Sequence, residues 1–199
     1  GEVVLVPVAN PIGLAQRVDH KAMGRFDLDS SENFNRHYPN LANAVFGEVR
    51  HALGPDADTN MATVRAAVGR YLYQWKASNA LQGLRKTLAC LAFDADLVLD
   101  LHCDCEAELH LYSEDACWPR IEPLARLLGV RAALLASDTG ASSFDECFSG
   151  LWWQLAAKLA ADRAPGAAPV PLPQACASTT TNLFPAYARR MPKKKGLAA

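Results

Sequence analysis

The stretch Asp94–Tyr112, with Phe93 ahead of it, constrains the chain most: it reads FDADLVLDLHCDCEAELHLY. Leu97-Val98-Leu99 is a short apolar run between acids, and it closes on Asp100-Leu101-His102 before the sequence turns polar. Such a run predicts a buried strand. The chemistry then sits at the strand's C-terminal end, where open α/β sheets bind ligands. On a two-residue period, Asp100, His102 and Asp104 share one face, and Leu101, Cys103 and Cys105 the other. His102 and the Cys-x-Cys pair are therefore not expected in one pocket. A strand-end His beside a carboxylate suits a metal ligand oriented by its neighbour. It also suits a histidine satisfied by hydrogen bonds at a sheet edge.

The 199 residues fit one domain, and with half of them hydrophobic they can bury a sizeable core. No apolar run approaches the roughly 20 residues that span a bilayer, so no membrane partner is expected. The opening GEVVLVPVANP does not resemble a secretory signal, and it lacks an initial Met, as a fragment or a processed chain would. Six Cys, at 90, 103, 105, 117, 147 and 176, form no CxxC pair, which fits reduced thiols and a cytoplasmic location. Residues 1–162 carry 14 Lys/Arg against 21 Asp/Glu, a net charge of −7, whereas residues 163–199 carry 6 Lys/Arg and no acid, +6. The expected organisation is one domain over 1–181 and a basic, disordered tail over 182–199. That tail has no aromatic platform beside its Lys and Arg, so no nucleic-acid partner is expected.

In chain order, Glu2–Val8 (EVVLVPV) predicts a strand stopped at Asn10-Pro11. Residues 12–23 read as loop. Residues 24–39 are polar and charged, a surface loop or pocket wall. Helices follow over Leu41–Leu53, from a cap at Thr59 or Asn60 to about Ser78, and over Ala80–Phe93. With the strand at 97 they form a βαβ pattern, which predicts a parallel pair and a right-handed crossover. Helices are also predicted over Trp118–Leu128, ended by Gly129, and over Phe144–Ala161. Val130–Ser137 and Gln174–Thr181 are further strand candidates.

Asn35-Arg36 is the second constellation. The Arg fork matches a carboxylate and the Asn adds an amide donor, so the pair suits a ligand's terminal carboxylate. Arg25 can join them if the loop folds back. An ordinary salt bridge to Asp27, Asp29 or Glu32 is the alternative. A catalytic zinc uses three protein ligands and one open position. His102 can be one of the three, but His20, His37, His51 and His110 have no ligand spacing between them. Cys103 and Cys105 have no nearby thiols to complete a soft-metal site.

In order, Val6-Pro7-Val8-Ala9-Asn10-Pro11, Gly24-Arg25, Asp27-Leu28-Asp29, Asn33-Phe34-Asn35-Arg36-His37-Tyr38-Pro39 and Asp100-Leu101-His102 resemble the succinylglutamate desuccinylase/aspartoacylase family, related to the zinc carboxypeptidases. The resemblance covers residues 1 to about 180. It implies a three-layer α/β/α fold with a mixed, mostly parallel sheet, and one zinc with His102 as a ligand. It also implies that Asn35 and Arg36 hold a substrate carboxylate, with Arg25 as the other substrate-binding Arg. The implied reaction is hydrolysis of an N-acyl amino acid or a related amide by metal-activated water, with a Glu as general base. Two departures accompany it. The family's Gly-x-His-Gly-x-Glu motif, which brings the other two zinc ligands, is absent, and no acid follows Asp162 to serve as that Glu. The expectation is a hydrolase domain truncated at both ends and impaired as it stands. The alternative is a non-catalytic relative that binds a carboxylate ligand.

Overall fold

The computed structural model describes residues 1–103, 107–137 and 139–182. Its helices begin where short polar side chains can satisfy the first free N–H groups, an arrangement worth about 1 kcal/mol each. Asn40 accepts from Asn43 N–H at the start of α2 (Leu41–Val49), and Asp56 accepts from Thr59 N–H at the start of α3 (Ala57–Gln74). Asn79 does the same for α4 (Ala80–Ala92) through Gln82 N–H. Helix α5 (Trp118–Leu128) ends at Gly129, whose φ of 70° is the left-handed conformation a helix stop favours. At the start of α6 (Phe144–Asp162) the Ser143 N–H donates to Glu146. A short helix α1 (Pro11–Ala15) and a two-stranded hairpin, β1 (Arg17–Val18) with β2 (Lys21–Ala22), lie ahead of them.

The main sheet has four strands, in the order β3 (Leu97–His102), β6 (Ala177–Asn182), β4 (His110–Ser113), β5 (Ala132–Leu135). Two of its three pairings are parallel, β3 with β6 and β4 with β5, and β4 runs antiparallel to β6. Val98 of β3 packs into the large core made by α2, α3 and α6, around Leu41, Val45, Val68, Phe148 and Trp152. Ala177 and Leu111 instead face α5, through Ile121 and Ala125. Since strand residues alternate between faces, Val98, Asp100 and His102 line the α6 side, and Leu97, Leu99 and Leu101 the other. The architecture is thus the three-layer α/β/α arrangement with a mixed, mostly parallel sheet that the sequence predicts.

Several elements differ from expectation. Residues 2–8 join no sheet, and Val3 and Leu5 are 91 % and 78 % exposed. Strand propensity expresses fit to a pleated, half-buried surface, and the segment pairs with neither open edge of the described sheet, β3 or β5. The predicted crossover from it to β3 is therefore not formed. β3 is not buried throughout: its outward leucines lie open, and only Val98 is fully enclosed. Residues 12–23 contain α1 and the hairpin rather than loop alone. Asp56, not Thr59 or Asn60, caps α3, because Asn60 is buried and bonded to Gly54 and to the Pro171 carbonyl. That helix stops at Gln74, short of Ser78. β4 was not predicted: four residues, His-Leu-Tyr-Ser, carry too little periodicity, and pairing with β5 and β6 makes them a strand. Asn182, assigned to the tail from sequence, ends β6. Asp104, Cys105 and the basic segment 183–199 lie outside the described residues.

Candidate functional site

The site starts from a loop too polar to enter the core, which satisfies itself. Asp27 accepts from the Ser30 N–H (3.0 Å) and hydroxyl (2.7 Å), and the Asp27 N–H donates to the Glu32 carbonyl. From α4 comes Arg85, only 3 % exposed, which donates to Glu32 Oε2 and to the Asn33 carbonyl, both at 2.9 Å. Two apolar anchors, Phe34 and Tyr38, are buried on either side of Asn35-Arg36. The His37 and Tyr38 N–H groups donate to the carbonyls of Ala141 and Ser142. The loop is thereby pinned across the entry to α6.

This pinning brings Asn35 to the end of β3. Its Oδ1 accepts the Phe144 N–H at 2.8 Å, and its Nδ2 donates to Asp100 Oδ2 at 3.3 Å and lies 3.3 Å from His102 Nε2. His102 Nε2 is 2.9 Å from Asp100 Oδ2, and Thr180 of β6 also donates to that oxygen, at 3.4 Å. With the Nε2 proton given to Asp100, Nδ1 carries the lone pair of the neutral ring. The hydrogen bond to Asp100 raises the His102 pKa; burial opposes it, the charges of Asp100 and Asp145 add to it, and Arg36 lowers it. Asp145, buried at the start of α6, is itself shifted up by desolvation, against a hydrogen bond from Ser143. Arg36 donates to the Asn35 carbonyl at 2.6 Å. Among the described residues it has no carboxylate partner. Glu32 pairs with Arg85 instead, so the salt-bridge alternative to Asp27, Asp29 or Glu32 is not what the loop adopts.

Asn35, Arg36 and His102 therefore meet on the α6 side of the sheet. Arg25 does not join them: its guanidinium lies over the Phe26 ring, 5.7 Å from the centroid, although its carbonyl accepts the Phe34 N–H. Sequence reasoning missed Arg85, because a buried anchor and a surface arginine look alike in a helix. It also missed His110 and Asn182, which reach this face through strand pairing over 72 residues. Among the described residues no group of three or more His, Cys, Asp or Glu is arranged to hold a metal ion. His102 can give one nitrogen, which does not meet the three-ligand requirement of a catalytic zinc.

No protein-family profile matches the sequence, and no curated protein matches it. Solved structures do. One, described provisionally as a succinylglutamate desuccinylase/aspartoacylase family protein from Shewanella amazonensis SB2B, superposes with a TM-score of 0.66 at 26 % identity, over 88 % of this chain and 46 % of that one. Another, described provisionally as a succinylglutamate desuccinylase/aspartoacylase from Shewanella frigidimarina NCIMB 400, has a TM-score of 0.65 at 22 % identity, over 88 % and 45 %. The chain spans about half the length of each. In its three-layer fold and in the motifs running in order from Asn10-Pro11 to Asp100-Leu101-His102, the chain is similar to these succinylglutamate desuccinylase/aspartoacylase family structures.

Proposed function

We propose that the chain carries the carboxylate-holding part of a zinc-dependent amide hydrolase site that acts on an N-acyl amino acid or a related carboxylate substrate. The observation that carries this reading is Asn35. Its amide reaches across 65 and 67 residues to Asp100 and His102, and Arg36, free of any ion pair among the described residues, stands beside it. A buried or half-buried guanidinium without an acidic partner is complementary to an anion, and its planar fork suits a carboxylate. In this reading Arg36 and the Asn35 amide hold the substrate carboxylate, and Asp100 fixes the His102 ring so that Nδ1 faces outward as a metal ligand. The described residues supply one ligand of the three a catalytic zinc takes, so no hydrolytic step is assigned to them. Arg25 contributes to substrate binding only if its side chain leaves Phe26.

The same shortfall of ligands favours a second reading, a non-catalytic relative that binds carboxylates. Calorimetric titration with N-acetyl-L-glutamate, alongside metal analysis and an amide-hydrolysis assay, separates the two. Both readings expect binding that falls at least about tenfold in Arg36→Met, the loss of a charge-assisted contact. Zinc retained by wild type and lost in His102→Ala supports the hydrolase reading. Unchanged binding in Arg36→Met sinks both.

A further inference from the structure

The strand register sets three residues in one row at the end of the sheet. His102 of β3 is level with Asn182 of β6, and Asn182 is level with His110 of β4. The row below it is Asp100, Thr180 and Tyr112. The Thr180–Asp100 and Asn182–His110 hydrogen bonds put both rows on the α6 face, the face of Asn35. The sheet face that carries His102 thus continues across β6 to residues without a role so far.

Their hydrogen bonds define an orientation. His110 Nδ1 is 2.8 Å from the Glu108 carbonyl. A carbonyl only accepts, so Nδ1 carries the proton and Nε2 of the neutral ring is an acceptor. Nε2 is 3.0 Å from Asn182 Nδ2. This assigns the Asn182 amide: its NH₂ group turns to β4, and its Oδ1 is the polar atom left for the β3 side, where His102 stands. The Tyr112 ring packs edge-on against His110, with centroids 5.4 Å apart, and keeps the imidazole in place. Asn182 is 5 % exposed, and among the described residues its amide bonds to His110, on the β4 side.

We propose that Asn182, oriented by His110, is a ligand-contacting residue of the His102 cleft, and that its Oδ1 accepts the N–H of an amide ligand. This rests on the reading of the site as one for N-acyl amino acids. It adds that the site tells an amide from an ester, since an ester presents an oxygen lone pair to Oδ1 where an amide presents a proton.

The test compares binding of N-acetyl-L-glutamate with that of its ester isostere, 2-acetoxyglutarate, to wild type, Asn182→Leu and His110→Ala. Wild type is expected to favour the amide by about tenfold, the worth of one hydrogen bond. Both variants are expected to lose that preference and bind the two ligands with equal affinity. Nitrogen NMR of the His110 ring provides a check that needs no ligand: the Nδ1–H tautomer should be seen in wild type. Because Asn182 is buried, the half-exposed His110→Ala keeps the question answerable if Asn182→Leu does not fold. A preference that survives in His110→Ala, an equal loss of both ligands, or an Nε2–H tautomer in wild type overturns the inference alone. Wild type that binds neither ligand overturns the N-acyl reading, and this inference with it.

Discussion

β3 and β6 run side by side for six residues, yet every residue of β6 is buried, while Leu97, Leu99 and Leu101 of β3 are 47 %, 43 % and 52 % exposed. Composition points the other way. β6 is Ala-Ser-Thr-Thr-Thr-Asn, and β3 opens with three aliphatic residues. The difference is place: β6 is paired on both sides and lies between α5 and α6, whereas β3 is paired only with β6 and α5 does not reach its outer face. A polar strand can be interior when its backbone is fully paired. Of the β6 hydroxyls, Thr179 donates to the Tyr112 carbonyl at 2.6 Å and Thr180 to Asp100, whereas those of Ser178 and Thr181 are buried without a partner among the described residues. An apolar strand at an edge is enclosed only as far as its neighbours extend.

The sharpest way to break this comparison is on the enclosed side. Phe148 of α6 is 1 % exposed, between Phe144 and the large core, with its ring edge-on to Phe144 at 5.0 Å. Phe148→Ala is expected to cost about 3–5 kcal/mol, the toll of a buried aromatic cavity. Urea unfolding at constant m-value measures it, and a cost below about 1 kcal/mol would mean that the core against β3 is not packed as described.

Glu114, which follows β4, sharpens the point that polar groups lie inside. It accepts from Trp153 Nε1 at 3.1 Å, and its Oε2 is buried without a partner. Burial pushes its carboxyl up to about 7, against hydrogen bonds from Ser149 and Trp153, and the nearby charges of Glu146 and Asp145 push the same way. The folded state therefore holds this proton more tightly than the unfolded chain does. The stability it confers is fully present below the ordinary carboxyl value of 4.5 and is lost as pH rises through about 7. The span corresponds to about 3 kcal/mol. Glu114→Gln keeps an oxygen for Trp153 and removes the titration. Its stability relative to wild type should rise by that order between pH 4.5 and pH 7. A difference that stays flat with pH would show that Glu114 is solvated.

Local signals carried much of the fold in the sequence. The helices read over 41–53, from 59 or 60 to about 78, and over 80–93, 118–128 and 144–161 each match a helix of the structure to within a few residues at either end. The strand at Leu97 is visible too, because these elements are set by neighbours three, four or two positions away. The ordered motifs likewise marked Asn35, Arg36 and His102. What could not be read is what pairing over long distances decides. Residues 2–8 have strand chemistry yet pair with neither described edge strand, β3 or β5. His-Leu-Tyr-Ser has little strand chemistry and two strands to join. Asn182 and His110 reach the cleft only through the β6–β4 register. Arg85 has nothing in its own helix to tell it from an exposed arginine, since its partners lie 52 and 53 residues away.

The smallest expected effect belongs to the bare side. Leu99 faces away from α6, on the outer face of β3, and is 43 % exposed. If that face is open in solution, Leu99→Lys removes little buried area and leaves the backbone pairing with Thr179 intact. Stability should then change by no more than about 0.5 kcal/mol, as at other open surface sites. The same change places a charge on an apolar edge strand, the device by which sheet edges resist pairing with other chains. Light scattering should accordingly show less self-association at high concentration for Leu99→Lys than for wild type. A loss above about 2 kcal/mol would mean that the leucine row is covered in solution as fully as β6 is, and the contrast between the two strands would disappear.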